Sequence, residues 1–186
     1  MALEEIKKTI QGEWISIATE LRPSIATGSI KPFYLTRNFK YFEGDKFELD
    51  IINSADANGK IQLAKISIKG NIIWDGEHPI APGAQKVHFI ADELYEVTPL
   101  IQGFADAMNQ LASAGFSKWK VNGTQSIFQK AFAPFGLKEG QIFGEYDLIY
   151  VINDMMFWGS RHVDGRGFDT PENRPTNLQI SLMRKK

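Results

Sequence analysis

No cysteine occurs in the 186 residues of this chain. That absence removes disulfides, thiolate nucleophiles and cysteine metal sites together, although it does not by itself fix a compartment. An excess of charge is also missing: the formal net charge is −1 and the sequence pI 6.3. Lys and Arg are scattered, so nothing offers the basic face that nucleic acid or an anionic membrane surface requires, and nucleic acid is not expected as a partner. No apolar run approaches the length of a membrane span. The opening MALEEIKKTIQGEW interleaves Glu4, Glu5, Lys7 and Lys8 with its apolar positions and lacks the apolar region of a secretory signal. A cytoplasmic location is the expectation for the sequence as it stands. Repeats, low-complexity tracts and linkers are missing too, so residues 1–186 read as one domain, a size at which roughly 70% of the unfolded surface is buried on folding.

What is plentiful is aromatic. Phe, Tyr and Trp make up 12% of the chain, thirteen of them Phe, against an ordinary 43% hydrophobic and 23% charged content. The chain is organised around Phe33 to Asp50, FYLTRNFKYFEGDKFELD. Phe33, Leu35, Phe39 and Tyr41 share one parity while Tyr34, Thr36, Asn38 and Lys40 take the other, the two-residue period of a half-buried strand. A turn at Glu43-Gly44-Asp45 leads to a return strand with Phe47, Leu49 and Ile51 on one face. Arg37 breaks the pattern by sharing the parity of the aromatics, and a buried guanidinium must meet a carboxylate or other acceptors.

Around this hairpin, Leu3 to Ile10 has helical spacing, and WISIATEL reads as a first strand followed by a loop from Arg22 to Pro32. In KIQLAKISIK the apolar parity switches between Leu63 and Ile66, which predicts a β-bulge near Ala64-Lys65, and Gly70-Asn71 reads as a turn. QKVHFIADELYEV puts Val87, Phe89, Ala91, Tyr95 and Val97 on one parity, with Glu93 among them as the acidic counterpart of Arg37. The period then changes to that of an amphipathic helix over Pro99 to Ala114, with Thr98 as N-cap and Gly115 as stop. FSKWKV, TQSIFQKAF, QIFGEYDLIYVI, MMFWGS and NLQISLM read as further strands. The total is about nine or ten strands joined mostly by short turns, one inserted amphipathic helix and a short N-terminal helix, a mainly β chain that fits an antiparallel barrel or a strongly bent sandwich.

Gly12-x-Trp14 at the head of the first strand resembles the calycin superfamily of lipocalins and fatty-acid-binding proteins. A more specific likeness runs in order over nearly the whole chain: WISIATELRP, FYLTRNFKYF, GAQKVHF with a Thr-Pro helix start, FGEYDLIYV, MMFWGSRHVDGR and RPTNLQISL. These stretches resemble one domain of the membrane-tethered Wnt inhibitors named as down-regulated by the adenomatous polyposis coli suppressor. In that family one strand is written much like Leu35-Thr36-Arg37 and the last loop like Gly159-Ser160-Arg161-His162-x-Asp164, with Arg174-Pro175 following. The resemblance implies a calycin-like antiparallel β-barrel with an apolar pocket that takes a lipid. It departs from the family in having no cysteine, one domain and neither signal nor anchor, so the implied inheritance is the fold and the pocket, with another apolar molecule as ligand.

The function expected is therefore non-catalytic binding of a small apolar or amphipathic molecule, such as a fatty acid, with no cofactor and no metal. The candidate ligand-binding set is Trp14, Arg37, Phe39, Tyr41, Trp74, Phe89, Glu93, Tyr95 and Tyr146, which line a pocket if the barrel is open and fill it if it is closed. Arg37 and Glu93 either pair with one another inside the barrel or leave Arg37 to meet a ligand carboxylate, with Glu93 or Glu20 orienting it and Arg22 able to replace it. An alternative site is Arg161, His162 and Asp164. There His162 serves as a general base oriented by Asp164 or Asp169, although no Ser or Cys nucleophile motif accompanies it. The three histidines, His78, His88 and His162, form no metal-ligand spacing. A third class is a packed barrel that binds a protein partner through an exposed patch of Met155, Met156 and Phe168. Oligomeric state is not legible.

Overall fold

Alternation builds the strands nearly everywhere it occurs. The computed structural model describes residues 2–22, 33–162 and 164–185, so residues 23–32 of the loop expected between Arg22 and Pro32 lie outside the described residues. The strands are β1 (Gly12–Ser16), β2 (Glu20–Arg22), β3 (Phe33–Tyr41), β4 (Lys46–Ser54), β5 (Gln62–Glu77), β6 (Gln85–Pro99), β7 (Gln125–Ser126), β8 (Gly144–Ile152), β9 (Met155–Gly159) and β10 (Leu178–Arg184). All pairings are antiparallel. Eight strands follow one another in the order β1, β10, β9, β8, β6, β5, β4, β3, and β1 pairs with β3 to close the ring. β2 continues the β1 side along the first part of β3, and β7 lies against the end of β6. The fold is the calycin-like antiparallel barrel expected, with two helices, α1 (Leu3–Ile10) and α2 (Gln102–Leu111). Among the described residues no helix is long and apolar enough to cross a membrane.

Helix α1 covers one end of the barrel. Its Ile6 and Ile10 are buried, the Ile10 carbonyl accepts from the Trp14 indole N–H at 2.6 Å, and Lys7 reaches Asp45 in the β3–β4 turn at 2.9 Å. The described residues leave the opposite end, where β3 begins and β9 finishes, open.

The structure corrects several boundaries. Gly70-Asn71 is no turn; β5 runs straight through it, paired with β4 on one side and β6 on the other. The bulge expected near Ala64 is present, with Leu63 the extra residue between the Asn53–Ala64 and Ser54–Gln62 pairs. A second bulge lies across from Gly70. Lys69 faces Leu94 and Asn71 faces Ile90, so β6 carries two residues more than β5 over this step. An even insertion keeps the apolar parity on both sides, from Ala91 to Tyr95, while freeing the residue between them to turn outward. Glu93 is that residue. It is exposed and pairs with Lys46 on the outer surface, so the internal Arg37–Glu93 pair does not exist.

The helix expected over Pro99 to Ala114 is shorter, because β6 continues through Pro99 and Thr98 bonds the Thr124 hydroxyl rather than capping a helix. FSKWKV and most of TQSIFQKAF are not strands. Trp119 offers its backbone N–H and C=O to the Asn109 side chain on α2, at 2.8 and 3.0 Å, which removes them from any sheet ladder. Trp119, Phe132 and Phe116 then pack with α2 as an extension of the core, and Phe135 carries that extension to the open end of the barrel.

Candidate functional site

The barrel is packed at the α1 end and hollow toward the other. The hollow has a volume of about 470 Å³, within the range of small-molecule sites. One wall is apolar: Leu49 and Ile51 of β4, Ile66 and Ile68 of β5, and Phe89, Ala91 and Tyr95 of β6, extended at the rim by Phe135 and Phe143. Phe39, Phe47 and Trp158 form the floor, with ring centroids of Phe39 and Trp158 4.4 Å apart and those of Phe89 and Trp158 4.6 Å apart.

The other wall is charged. Arg37 projects inward from β3, its backbone N–H held by the Ser16 hydroxyl at 2.8 Å and its guanidinium lying over the Trp158 ring at 5.0 Å. Its partner is Glu20 of β2, whose Oε1 is 3.0 Å from Arg37 Nε, and the other oxygen of the same carboxylate is 3.4 Å from a terminal nitrogen of Arg22. All three side chains are at least nine-tenths buried. Neither contact has good hydrogen-bond geometry, and among the described residues both Glu20 oxygens and Arg37 Nε are without a hydrogen-bond partner. Burial pushes the Glu20 carboxyl above the usual carboxylate range, against the pull of Arg37. Arg161, just after β9, forms a two-pronged contact with Glu145 of β8 at 3.1 and 3.2 Å and stacks over buried Phe168 at 4.0 Å.

His162 sits beside Arg161 at the rim. Its Nε2 is 2.8 Å from the Asn173 carbonyl oxygen and its Nδ1 is 3.3 Å from a terminal nitrogen of Arg166. A carbonyl only accepts, so Nε2 meets Asn173 with an N–H, while Nδ1 faces the Arg166 guanidinium. Among the described residues no carboxylate reaches either ring nitrogen. Asp164 is exposed and faces Arg166 at 3.8 Å, and Asp169 accepts from the Asn173 amide. Among the described residues His162 thus has a carbonyl and a guanidinium at its ring nitrogens and no orienting carboxylate. No three His, Asp or Glu side chains among the described residues gather in a way that could hold a metal ion.

No family model matches this chain, and no curated protein matches it either.

The structure joins the two candidate sites of the sequence into one. Arg37, Phe39, Phe89 and Tyr95 line the cavity, and so do Arg161 and His162 from the other set. The remaining candidates do not. Trp14 and Tyr41 are buried in the packed end, Trp14 under the Arg184 guanidinium and Tyr41 stacked on Phe39. Trp74 donates to Asp45 beside α1, Tyr146 stacks on His88 on the outer face of β8, and Glu93 and Asp164 are at the surface. The patch of Met155, Met156 and Phe168 does not form, since Met156 and Phe168 are fully buried. Sequence reasoning passed over Phe47, Leu49, Glu145 and Trp158. For the first two, the parity that marked Arg37 as inward was signal enough; Glu145 and Trp158 needed the β8–β9 register.

One buried acid near the floor makes a pH prediction. Asp147 of β8 is completely buried; its Oδ1 accepts from the backbone N–H groups of Leu148 and Gly159, and its Oδ2 has no hydrogen-bond partner among the described residues. Burial first, and the charge of Glu145 second, push its pKa well up. The unfolded carboxyl ionises near pH 4, so above that pH the folded state holds the extra proton and stability falls as pH rises toward the folded pKa. Asp147→Asn keeps the accepting oxygen and removes the ionisation. Its Tm relative to wild type is expected to climb between about pH 4 and 7; thermal melts that run parallel across this range would refute the assignment.

Proposed function

We propose that this protein binds a small apolar or amphipathic molecule, a fatty acid or similar lipid, in the barrel cavity without chemically altering it. The observation that carries the reading is the hollow of about 470 Å³ with one aromatic and aliphatic wall and buried cations opposite. A packed barrel acting only through its surface would have no such space, and the engaged nitrogens of His162 argue against acid–base chemistry at the rim. The likeness of its motifs to the Wnt-inhibitor domains supports the same reading, in which the inherited feature is the lipid pocket. The proposal places the protein in the cytoplasm, where a chain without cysteine loses nothing to reducing conditions.

Native mass spectrometry of the purified protein, followed by solvent extraction, tests this directly. The expected result is a lipid-sized adduct that leaves on extraction, or an apo protein that takes up a lipid from an added panel at one per chain. A clean apo mass with no uptake would overturn the proposal.

A further inference from the structure

Among the described residues the charges facing the cavity do not balance, and the imbalance specifies a ligand. Arg22 and Arg37 are two guanidiniums sharing one carboxylate, Glu20. Arg161 and Glu145 neutralise each other at the rim, as Arg166 and Asp164 do at the surface. The one other interior acid among the described residues, Asp147, gives its Oδ1 to backbone N–H groups and is held toward its neutral form by burial, against the more distant pull of Arg37. The stretch 23–32 that follows Arg22, PSIATGSIKP, contains no Asp or Glu, so it cannot supply the missing charge. A guanidinium is always ionised, and an unpaired one is strongly disfavoured when buried.

Resting on the binding reading above, we infer that the cavity takes an amphiphile with a single negatively charged head, seated on Arg22 and Arg37 as the second counter-ion beside Glu20. Its hydrocarbon lies along the wall of β4, β5 and β6. Glu20 is in this view a resident counter-ion that holds two arginines in place and leaves one positive charge for the ligand. A neutral alcohol of the same length fills the same space but leaves that charge unpaired. The imbalance does not distinguish a carboxylate head from a sulfate head, so both enter the test.

Decanoate, decyl sulfate and decanol share a chain and differ in the head. Titrated against the full chain with tryptophan fluorescence as readout, since Trp158 borders the cavity, the charged pair is expected to bind at least about tenfold more tightly than decanol. Decanoate tighter than decyl sulfate assigns a carboxylate, and the reverse a sulfate. Arg22→Gln balances Arg37 against Glu20 and is expected to erase most of the preference for the anion. Glu20→Gln is expected to widen the ratio of anion to decanol affinity by about tenfold. A role for Glu20 in structure alone would move all three ligands together. Equal binding of acid and alcohol, or a preference untouched by both variants, would overturn the charge reading and leave the pocket standing. Failure of all three ligands to bind would overturn the pocket reading itself.

Discussion

Trp158→Ala is expected to cost about 4 kcal/mol of folding stability, the largest loss from any single truncation of the barrel floor. The indole is 1% exposed, lies against Phe39 and Phe89, carries the Arg37 guanidinium over its face and points its N–H toward the Met156 sulfur at 3.4 Å. Truncation removes its dispersion contacts and leaves a void that two neighbouring aromatic rings and a charged group cannot all close. It also merges the void with the cavity, so under the proposed function the affinity for a lipid is expected to fall along with stability. Trp158→Phe keeps an aromatic surface under Arg37 and is expected to lose roughly half as much. Equilibrium urea unfolding measures both. A loss below about 1 kcal/mol for the alanine variant would mean that the ring is not a packed support.

Gly70→Ala is expected to cost about 3 kcal/mol, through overlap rather than a void. A Cβ at this position would overlap the carbonyl oxygen of Ile90 and stand 2.8 Å from an Asp92 oxygen. The obstacle is backbone, so no rotamer change relieves it, and the β6 bulge would have to open. Gly103→Ala is the control. It sits in α2 with nothing within 4 Å of the new methyl, and there alanine is expected to gain up to about 1 kcal/mol. Thermal or urea unfolding of the two variants side by side should show opposite signs; two losses of equal size would mean the cost comes from glycine's freedom in general and not from the bulge.

Gly70 also explains why the fold was more legible than the site. Parity marked Leu35, Arg37, Phe39 and Tyr41 as inward from β3 alone, because nothing interrupts that strand between Phe33 and Tyr41. The same rule applied to β6 pointed Glu93 inward, because the two residues that turn it out are inserted relative to a partner strand some twenty positions away in sequence. Bulges are properties of a pair, and a single strand does not display them. Trp74 and Tyr146 failed for a related reason: aromatic content marks burial but not which side of the sheet does the burying. The stretch 116–143 misled differently. Its short apolar and aromatic runs read as strands, but Asn109 on α2 supplies the hydrogen bonds that a neighbouring strand would have given Trp119. The shared carboxylate between Arg22 and Arg37 required the β2–β3 pairing, which brings Glu20 opposite Leu35.

The closed ring also sets the order in which the cavity can come into being. β3 to β6 are joined by neighbouring hairpins and can zip locally, but β1 must find β10, with Trp14 opposite Arg184. Such distant partners pay their loop-closure entropy late, and chains dominated by them fold in milliseconds to seconds rather than microseconds. Until that seam forms, the aromatic wall and the two arginines belong to an unsealed, curved sheet with its oily face open to water. Under the proposed function, a lipid that binds only the sealed barrel would slow its opening. The ligand would therefore act as the latch on the last step of folding, and the time the protein survives a protease would lengthen with the lipid supply.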